Sequence, residues 1–308
     1  MKAKQVALLA GGVGGAKLAH GFQQVLPAGG LSVIINVADD LELFGLHVSP
    51  DLDTVLYTLA GLANPETGWG IAGDTFNALP LLERYGEPAW FRIGDADLAT
   101  HVRRTHLLRD GVSLTDATGA MTAGLGVPSR ILPATDQPLR TFVQTDAGEL
   151  DFQTYFVQRA QRDEVRAVRF AGIDAARPSS AALQALAEAD LVVLAPSNPI
   201  VSIGPILALP GVHEAIAARP SLAVSPIVAG RALRGPADRM LGSLGHEVSA
   251  LGVARLYAGL VQRFVLDEAD ADLQPAIEAL GMRAEVLPTV MRSDADRARL
   301  AEAIILNS

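Results

Sequence analysis

Val6-Ala7-Leu8-Leu9-Ala10-Gly11-Gly12-Val13-Gly14-Gly15-Ala16-Lys17 is the stretch that decides the fold. An unbroken apolar run, Val6–Ala10, ends in four glycines within five residues, and apolar residues then recur at helical spacing over 16–26. That is a strand, a glycine turn and a helix. A second unbroken, β-branched run over 31–37 ends at Ala38-Asp39-Asp40. Strands without alternation are covered on both faces, which is the condition of a parallel sheet.

Working outward, the spacing predicts helices over 54–62, 75–85 and 97–109, the last stopped at Gly111. Short strands are predicted at 130–132 and 141–144, the second followed by the turn Asp146-Ala147-Gly148, and another at 165–170. An Ala-rich helix over 179–189, capped by Ser179 or Ser180, feeds a strand at 191–195; a helix over 212–218 leads to a strand at 222–224. This alternation predicts an α/β fold: a Rossmann-like, doubly wound, mostly parallel sheet. Residues 1–308 read as one domain. The stretch 69–156 breaks the alternation and is expected to be an inserted, lid-like subdomain beside the sheet.

The 308 residues are 49% apolar and 19% charged, which supports a sizeable buried core and argues against disorder. A net charge of -9 argues against a nucleic-acid binder but not against a nucleotide site built from backbone amides and a metal. With no cysteine, disulfides, thiolate metal sites and cysteine nucleophiles are excluded. Met1–Gln5 runs directly into the first strand without the long apolar region of a signal peptide, and the most apolar long stretch, 191–210, is broken by four prolines. A soluble, cytoplasmic protein with no membrane partner is expected.

Three segments carry chemistry. At a strand-to-helix turn, Gly11, Gly12, Gly14 and Gly15 let a diphosphate approach the backbone, with Lys17 one turn on; they also allow close helix–sheet packing, though four exceed what packing needs. The turn is not a Walker loop, because Lys17 follows Ala16 and Leu18 stands where Ser or Thr would be. Nor is it a good dinucleotide fingerprint, because Asn36 stands where an acid would hold a ribose. The acids Asp39, Asp40, Asp51 and Asp53 fall at the carboxyl end of the sheet and suit a hard dication bridging a diphosphate. Pro50-Asp51-Leu52-Asp53 is equally a good helix start, and in a regular helix the two acids would point roughly 200° apart. Ala195-Pro196-Ser197-Asn198-Pro199 offers polar groups for base or phosphate recognition, or is an ordinary capped loop. A fourth segment, 225–236, repeats that design with Arg231 and Arg234, and the basic run His101–Arg109 reads foremost as a solvated face.

Taken together, these stretches resemble the 2-phospho-L-lactate transferase (CofD) family: A-G-G-V-G-G-A-K at 10–17, N-V-A-D-D at 36–40, S-P-D-L-D-T-V-L-Y at 49–57, G-W-G-I-A-G-D-T-F at 68–76, L-A-T-H at 98–101, L-L-R-D-G-V-S-L-T-D-A-T at 107–118, L-P-A-T-D at 132–136, A-P-S-N-P-I-V-S-I-G-P-I-L at 195–207 and S-P-I-V-A-G at 225–230. The resemblance implies a homodimeric transferase. It would move a phospho-acid group (phospholactate, phosphoenolpyruvate or phosphoglycerate) from a guanosine-diphosphate-linked donor to the terminal hydroxyl of the deazaflavin FO. GMP is released, magnesium is required, and the product leads to coenzyme F-420. It implies Asp51 and Asp53 as catalytic, Asp39, Asp40 and Asp53 as magnesium ligands, and Gly11 to Gly15, Lys17, Ser197 and Asn198 as donor contacts. Where the family commonly has Gly-Asp-Arg-Asp, this chain reads Gly94-Asp95-Ala96-Asp97, which points to an altered donor, compensation by Arg92 or Arg103, or weakened activity.

Two rivals stand beside this reading. The same superfamily holds non-enzymatic regulators that bind nucleotide sugars and share the glycine turn; the run 49–57 and the region 69–116 favour the transferase. A dehydrogenase is weakened by the missing ribose acid.

Overall fold

The structure is a computed structural model that describes residues 4–307; Met1–Ala3 and Ser308 lie outside the described residues. Seven strands form the central sheet: Val6–Ala10 (β1), Leu31–Ile35 (β2), Arg130–Pro133 (β3), Leu191–Leu194 (β4), Ser221–Val224 (β5), Arg263–Asp267 (β6) and Arg283–Leu287 (β7). They lie in the order β7-β6-β5-β4-β1-β2-β3, and every neighbouring pair is parallel. Along β1 successive side chains face opposite sides, so Leu8 joins one core with Val33 and Val193 while Leu9 joins the other with Ile34 and Leu194. Burial on both faces is why these strands are continuously apolar.

The chain winds outward in one direction from β1 to β3 and in the other from β4 to β7. The order therefore reverses between β1 and β4, and a crevice opens there outside the carboxyl ends of the strands. Helix α1 (Gly12–Val25) starts at that crevice directly after β1 and buries Leu18, Ala19 and Phe22 against the sheet. Helix α2 (Pro50–Leu59) follows the hairpin Leu41–Leu43/Leu46–Val48, whose turn places Phe44 and Gly45 at positive φ. Helix α3 (Asp95–Arg109) crosses beside it, and α4 (Asp294–Leu306) lies along α1, opened by a Ser293–Asp296 capping box.

Several expectations shift. Helix α1 begins at Gly12 rather than residue 16, and α2 at Pro50 rather than 54. The strands expected at 141–144 and 165–170 are not in the central sheet. They pair as Arg140–Thr145 and Val165–Ala171, with Gly148–Asp151, in a separate three-stranded antiparallel sheet. Their side chains are partly exposed, unlike the uniformly buried β1 and β4, so a short run did not reveal which sheet it joined. The expected insertion 69–156 does not stand apart as a block: β3, within it, is the edge strand of the main sheet. What rises beside the sheet is the helical excursion before β3 and the antiparallel sheet after it.

Candidate active site

A cleft of about 520 Å³ opens at the reversal point, lined by Gly11, Gly12, Gly14 and Lys17 at the start of α1. Gly12 needs its freedom because its φ is +62°. A Cβ on Gly14 would sit 2.3 Å from the Pro196 carbonyl oxygen. This is the close approach between α1 and the loop after β4 that the glycines permit. Gly15 packs between Ala10 and Ser197 and does not line the cleft, which removes it from the expected phosphate contacts. First-turn amides of a helix lack intrahelical acceptors and draw anions. The Gly12 amide already donates to Asp51 Oδ1 at 2.7 Å. Lys17 reaches over this end and donates to the Met291 carbonyl at 3.0 Å. Burial first, then the guanidinium groups of Arg297 and Arg234, hold its pKa below the ordinary lysine value.

The four acids separate into three environments. Asn36, which closes β2, donates from one Nδ2 to Asp39 Oδ2 and to Asp51 Oδ2, each at 3.0 Å. Its own Oδ1 accepts the Ala38 amide at 2.9 Å. Asn36 thus bridges two carboxylates that both line the cleft, Asp39 buried and Asp51 half-buried. Burial, then the charge of Asp51, pushes Asp39 well above the usual carboxylate range; burial pushes Asp51 up to about 6. Asp39 Oδ1 is buried and, among the described residues, makes no hydrogen bond of good geometry, with the Thr141 side chain nearby. Two close oxygen donors that cannot both ionise comfortably fit a hard dication such as magnesium.

Of the expected ligand set Asp39, Asp40 and Asp53, only Asp39 shares Asn36 with Asp51; Asp40 and Asp53 have other partners. Asp40 points away from the cleft, accepting from Ser49 Oγ at 2.6 Å and meeting His47 Nε2 at 2.8 Å. Because α2 is helical from Pro50, Asp51 and Asp53 face different ways. Asp53 takes both terminal nitrogens of Arg104, a wholly buried side chain, and lies 3.6 Å from His101 Nδ1. Asp53 thus lines the cleft while paired with a buried guanidinium. His101 Nε2 in turn lies 3.3 Å from Asp97, which accepts from the Tyr57 hydroxyl at 2.6 Å. Burial works against the charge of Asp97, but His101, Tyr57 and Arg104 outweigh it and hold the carboxyl below its ordinary range. Among the described residues no three His, Cys, Asp or Glu side chains form a ready metal cage.

Ser197 and Asn198 line the cleft, but their side chains are spent on the fold. Ser197 Oγ accepts from the Gly11 amide at 3.1 Å and donates to its carbonyl at 2.8 Å, pinning β1 to the loop after β4. Asn198 Oδ1 caps the turn that follows, accepting from the Ile200 amide at 2.9 Å. The remaining walls are aromatic, with Trp69, Trp90, Phe91, Phe152 and Phe156; the last two rings stack 5.5 Å apart. Arg92 lines the cleft as well, whereas Ala96 and Arg103 do not. Sequence reasoning passed over Asn36 and Arg104 as functional positions. The signal for Asn36 was a polar residue closing an apolar strand; Arg104 lay in the basic run 101–109, read foremost as a solvated face, whereas the structure buries both His101 and Arg104.

Comparison with known proteins decides the relationship: the model of the family described as "2-phospho-L-lactate transferase CofD" matches residues 6–297. The chain belongs to the CofD family. A CofD relative from Streptomyces griseus named phosphoenolpyruvate transferase is 42% identical over 311 residues, covering 98% of both chains. One from Methanosarcina mazei, named 2-phospho-L-lactate transferase, is 37% identical, covering 97% of this chain and 98% of its own. Among solved structures, a member of the UPF0052 family from Bacillus halodurans superposes with a TM-score of 0.64 at 17% identity, covering 99% of each chain, which shows the fold alone. The chain is thus a transferase of the CofD type with this Rossmann-like cleft as its candidate active site. Among the described residues no helix is long and apolar enough to cross a membrane.

Proposed function

We propose that this CofD-type enzyme transfers the phospho-acid group of a guanosine-diphosphate-linked donor to the terminal hydroxyl of FO. The observation that carries this reading is the Asp39–Asn36–Asp51 arrangement set against the N-terminus of α1 at the reversal point of the sheet. There the diphosphate meets helix amides and Lys17 on one side and a carboxylate pair suited to magnesium on the other. Asp39 and Asp51 would hold magnesium, which would supply neutralisation of charge on the phosphates. Asn36 keeps the two carboxylates at their spacing. Arg104 and His101 hold Asp53 and Asp97, so the wall next to the acceptor stays ordered.

In the reaction the FO hydroxyl oxygen forms a bond to the phosphorus that bears the acid, and the bond from that phosphorus to the GMP oxygen breaks. The hydroxyl must be positioned in line with the bond that breaks, and its proton leaves to water. The aromatic walls suit a planar deazaflavin ring. The same reading takes the enzyme to be a cytoplasmic homodimer.

The test is turnover with FO, magnesium and each of the three donors, read by mass spectrometry. One phospho-acid adduct of FO together with GMP is expected. Asp51→Asn is expected to lower kcat/KM by ~100-fold or more while GDP still binds. A protein that bound a uridine diphosphate sugar tightly and formed no FO adduct with any donor would overturn the proposal.

A further inference from the structure

The proposed donor brings a carboxylate beyond its diphosphate, into a cleft whose acids Asp53 and Asp97 already hold their own partners, Arg104 and His101. A carboxylate stripped of water there without a countercharge of its own carries a cost that a binding site must offset. Three arginine or lysine side chains line the cleft: Lys17, Arg92 and Arg234. Lys17 is held at the α1 end by the Met291 carbonyl. Arg234 donates to the Thr67 carbonyl at 2.9 Å and to the Glu66 carbonyl at 3.3 Å, which places both cations on the phosphate side. His101 lines the cleft but is clamped between Asp53 and Asp97, and Arg104 behind it is committed to Asp53.

Arg92 is the exception. It stands three residues before α3, the helix that carries Asp97 and His101 into the cleft, and it is exposed. Its guanidinium lies 4.3 Å from the centroid of the Phe76 ring. Among the described residues it has no ion pair and no hydrogen bond. Contact with the ring face holds the guanidinium in place by a cation–π attraction, and its uncommitted N–H groups can grip a carboxylate with two parallel hydrogen bonds. The floor under Phe76 is itself fixed: Asp95 accepts from Thr75 Oγ1 at 2.5 Å and from the Asn77 amide at 2.9 Å.

We infer that Arg92, presented by Phe76, receives the carboxylate of the acid that the donor carries; this rests on the transferase reading above. It makes Arg92 a specificity-determining residue. A donor lacking the carboxylate leaves its N–H groups in water, and a donor bearing one gains a charge-assisted pair.

The experiment compares the wild type, Arg92→Ala, Arg92→Lys and, as a control outside the cleft, Arg103→Ala. Each is assayed with FO, magnesium and two donors: the guanosine-diphosphate-linked phospho-acid that the wild type uses, and guanosine diphosphate ethyl ester, which has no carboxylate. Arg92→Ala is expected to raise KM for the acid donor at least tenfold. Its KM for the ethyl donor, its KM for FO and its Kd for GDP are expected to match the wild type, which also shows that the variant is folded. Arg92→Lys is expected to recover part of the loss, and Arg103→Ala to behave as wild type. An equal loss with both donors, no loss with either, or a loss confined to the KM for FO overturns the inference. Failure of the wild type with every donor overturns the transferase reading instead.

Discussion

Arg104 is wholly buried, and Asp53 takes both of its terminal nitrogens. A buried pair of this kind contributes little net stability against apolar groups of the same shape, but breaking it leaves an uncompensated charge in low dielectric. Arg104→Met is therefore expected to lower the stability by ~3–5 kcal/mol, read as a fall in the urea midpoint. Adding Asp53→Asn should return a large part of that loss; a single variant as stable as the wild type would show that the pair is not desolvated as described. The contrast with Asp51, two residues away, shows how residue-scale roles diverge. Asp51 shares Asn36 with Asp39 and takes the Gly12 amide, while Asp53 faces the opposite side of α2. The sequence made both acids visible as a pair. Their division was legible only as a conditional, since it depended on whether the helix started at Pro50 or later.

At the scale of elements, the reach of α1 towards the loop after β4 sets the width of the nucleotide end of the cleft. Gly14→Ala would drive a methyl group into the Pro196 carbonyl, a backbone atom that cannot rotate away. The expected cost is ~1–3 kcal/mol, seen as a lower Tm. Weaker GDP binding by titration calorimetry should accompany it, because the first-turn amides of α1 move with the helix. Unchanged Tm and unchanged GDP affinity would show that the loop yields freely. The elements that frame this contact were legible: β1, β2 and β4 are long apolar runs, and such runs mark strands covered on both faces. The strands β6 and β7 went unread. Each carries charges, and these become intelligible only once paired: Arg263 of β6 binds Glu285 of β7 at 2.8 Å across the sheet.

For the molecule as a whole, the carboxylate pair imposes a pH dependence with a definite sign. Asp51 titrates at about 6 in the folded protein, and Asp39 is also shifted upward. In the unfolded chain both lose their protons at the ordinary, lower carboxylate value. Between about pH 4 and pH 6 the native state holds protons that the unfolded state has released, so this contribution to stability falls as pH rises. From Asp51 it amounts to on the order of 3 kcal/mol, at about 1.4 kcal/mol per unit. Thermal unfolding from pH 4 to 8 in a chelator should show a shallower decline for Asp51→Asn than for the wild type, and magnesium should raise the wild-type Tm most at the upper end. Identical profiles for the two proteins, with no effect of magnesium on either, would contradict this account.

The linear chain by itself determined the sheet class, the strand–glycine–helix opening, the acidic character of one cleft wall and the CofD relationship. Each of these is written in local composition, in spacing, or in several motifs held in one order. Tertiary structure alone decided which acids face each other, because side chains from β2, α2 and α3 converge on one crevice from positions as far apart as Asn36 and Arg104. It also decided that Ser197 and Asn198 serve the fold first, since hydrogen bonds form with whatever backbone lies nearest in space. Arg92 could be named from the sequence, but its freedom could not: a cation is unpaired only relative to every neighbour that folding brings within reach.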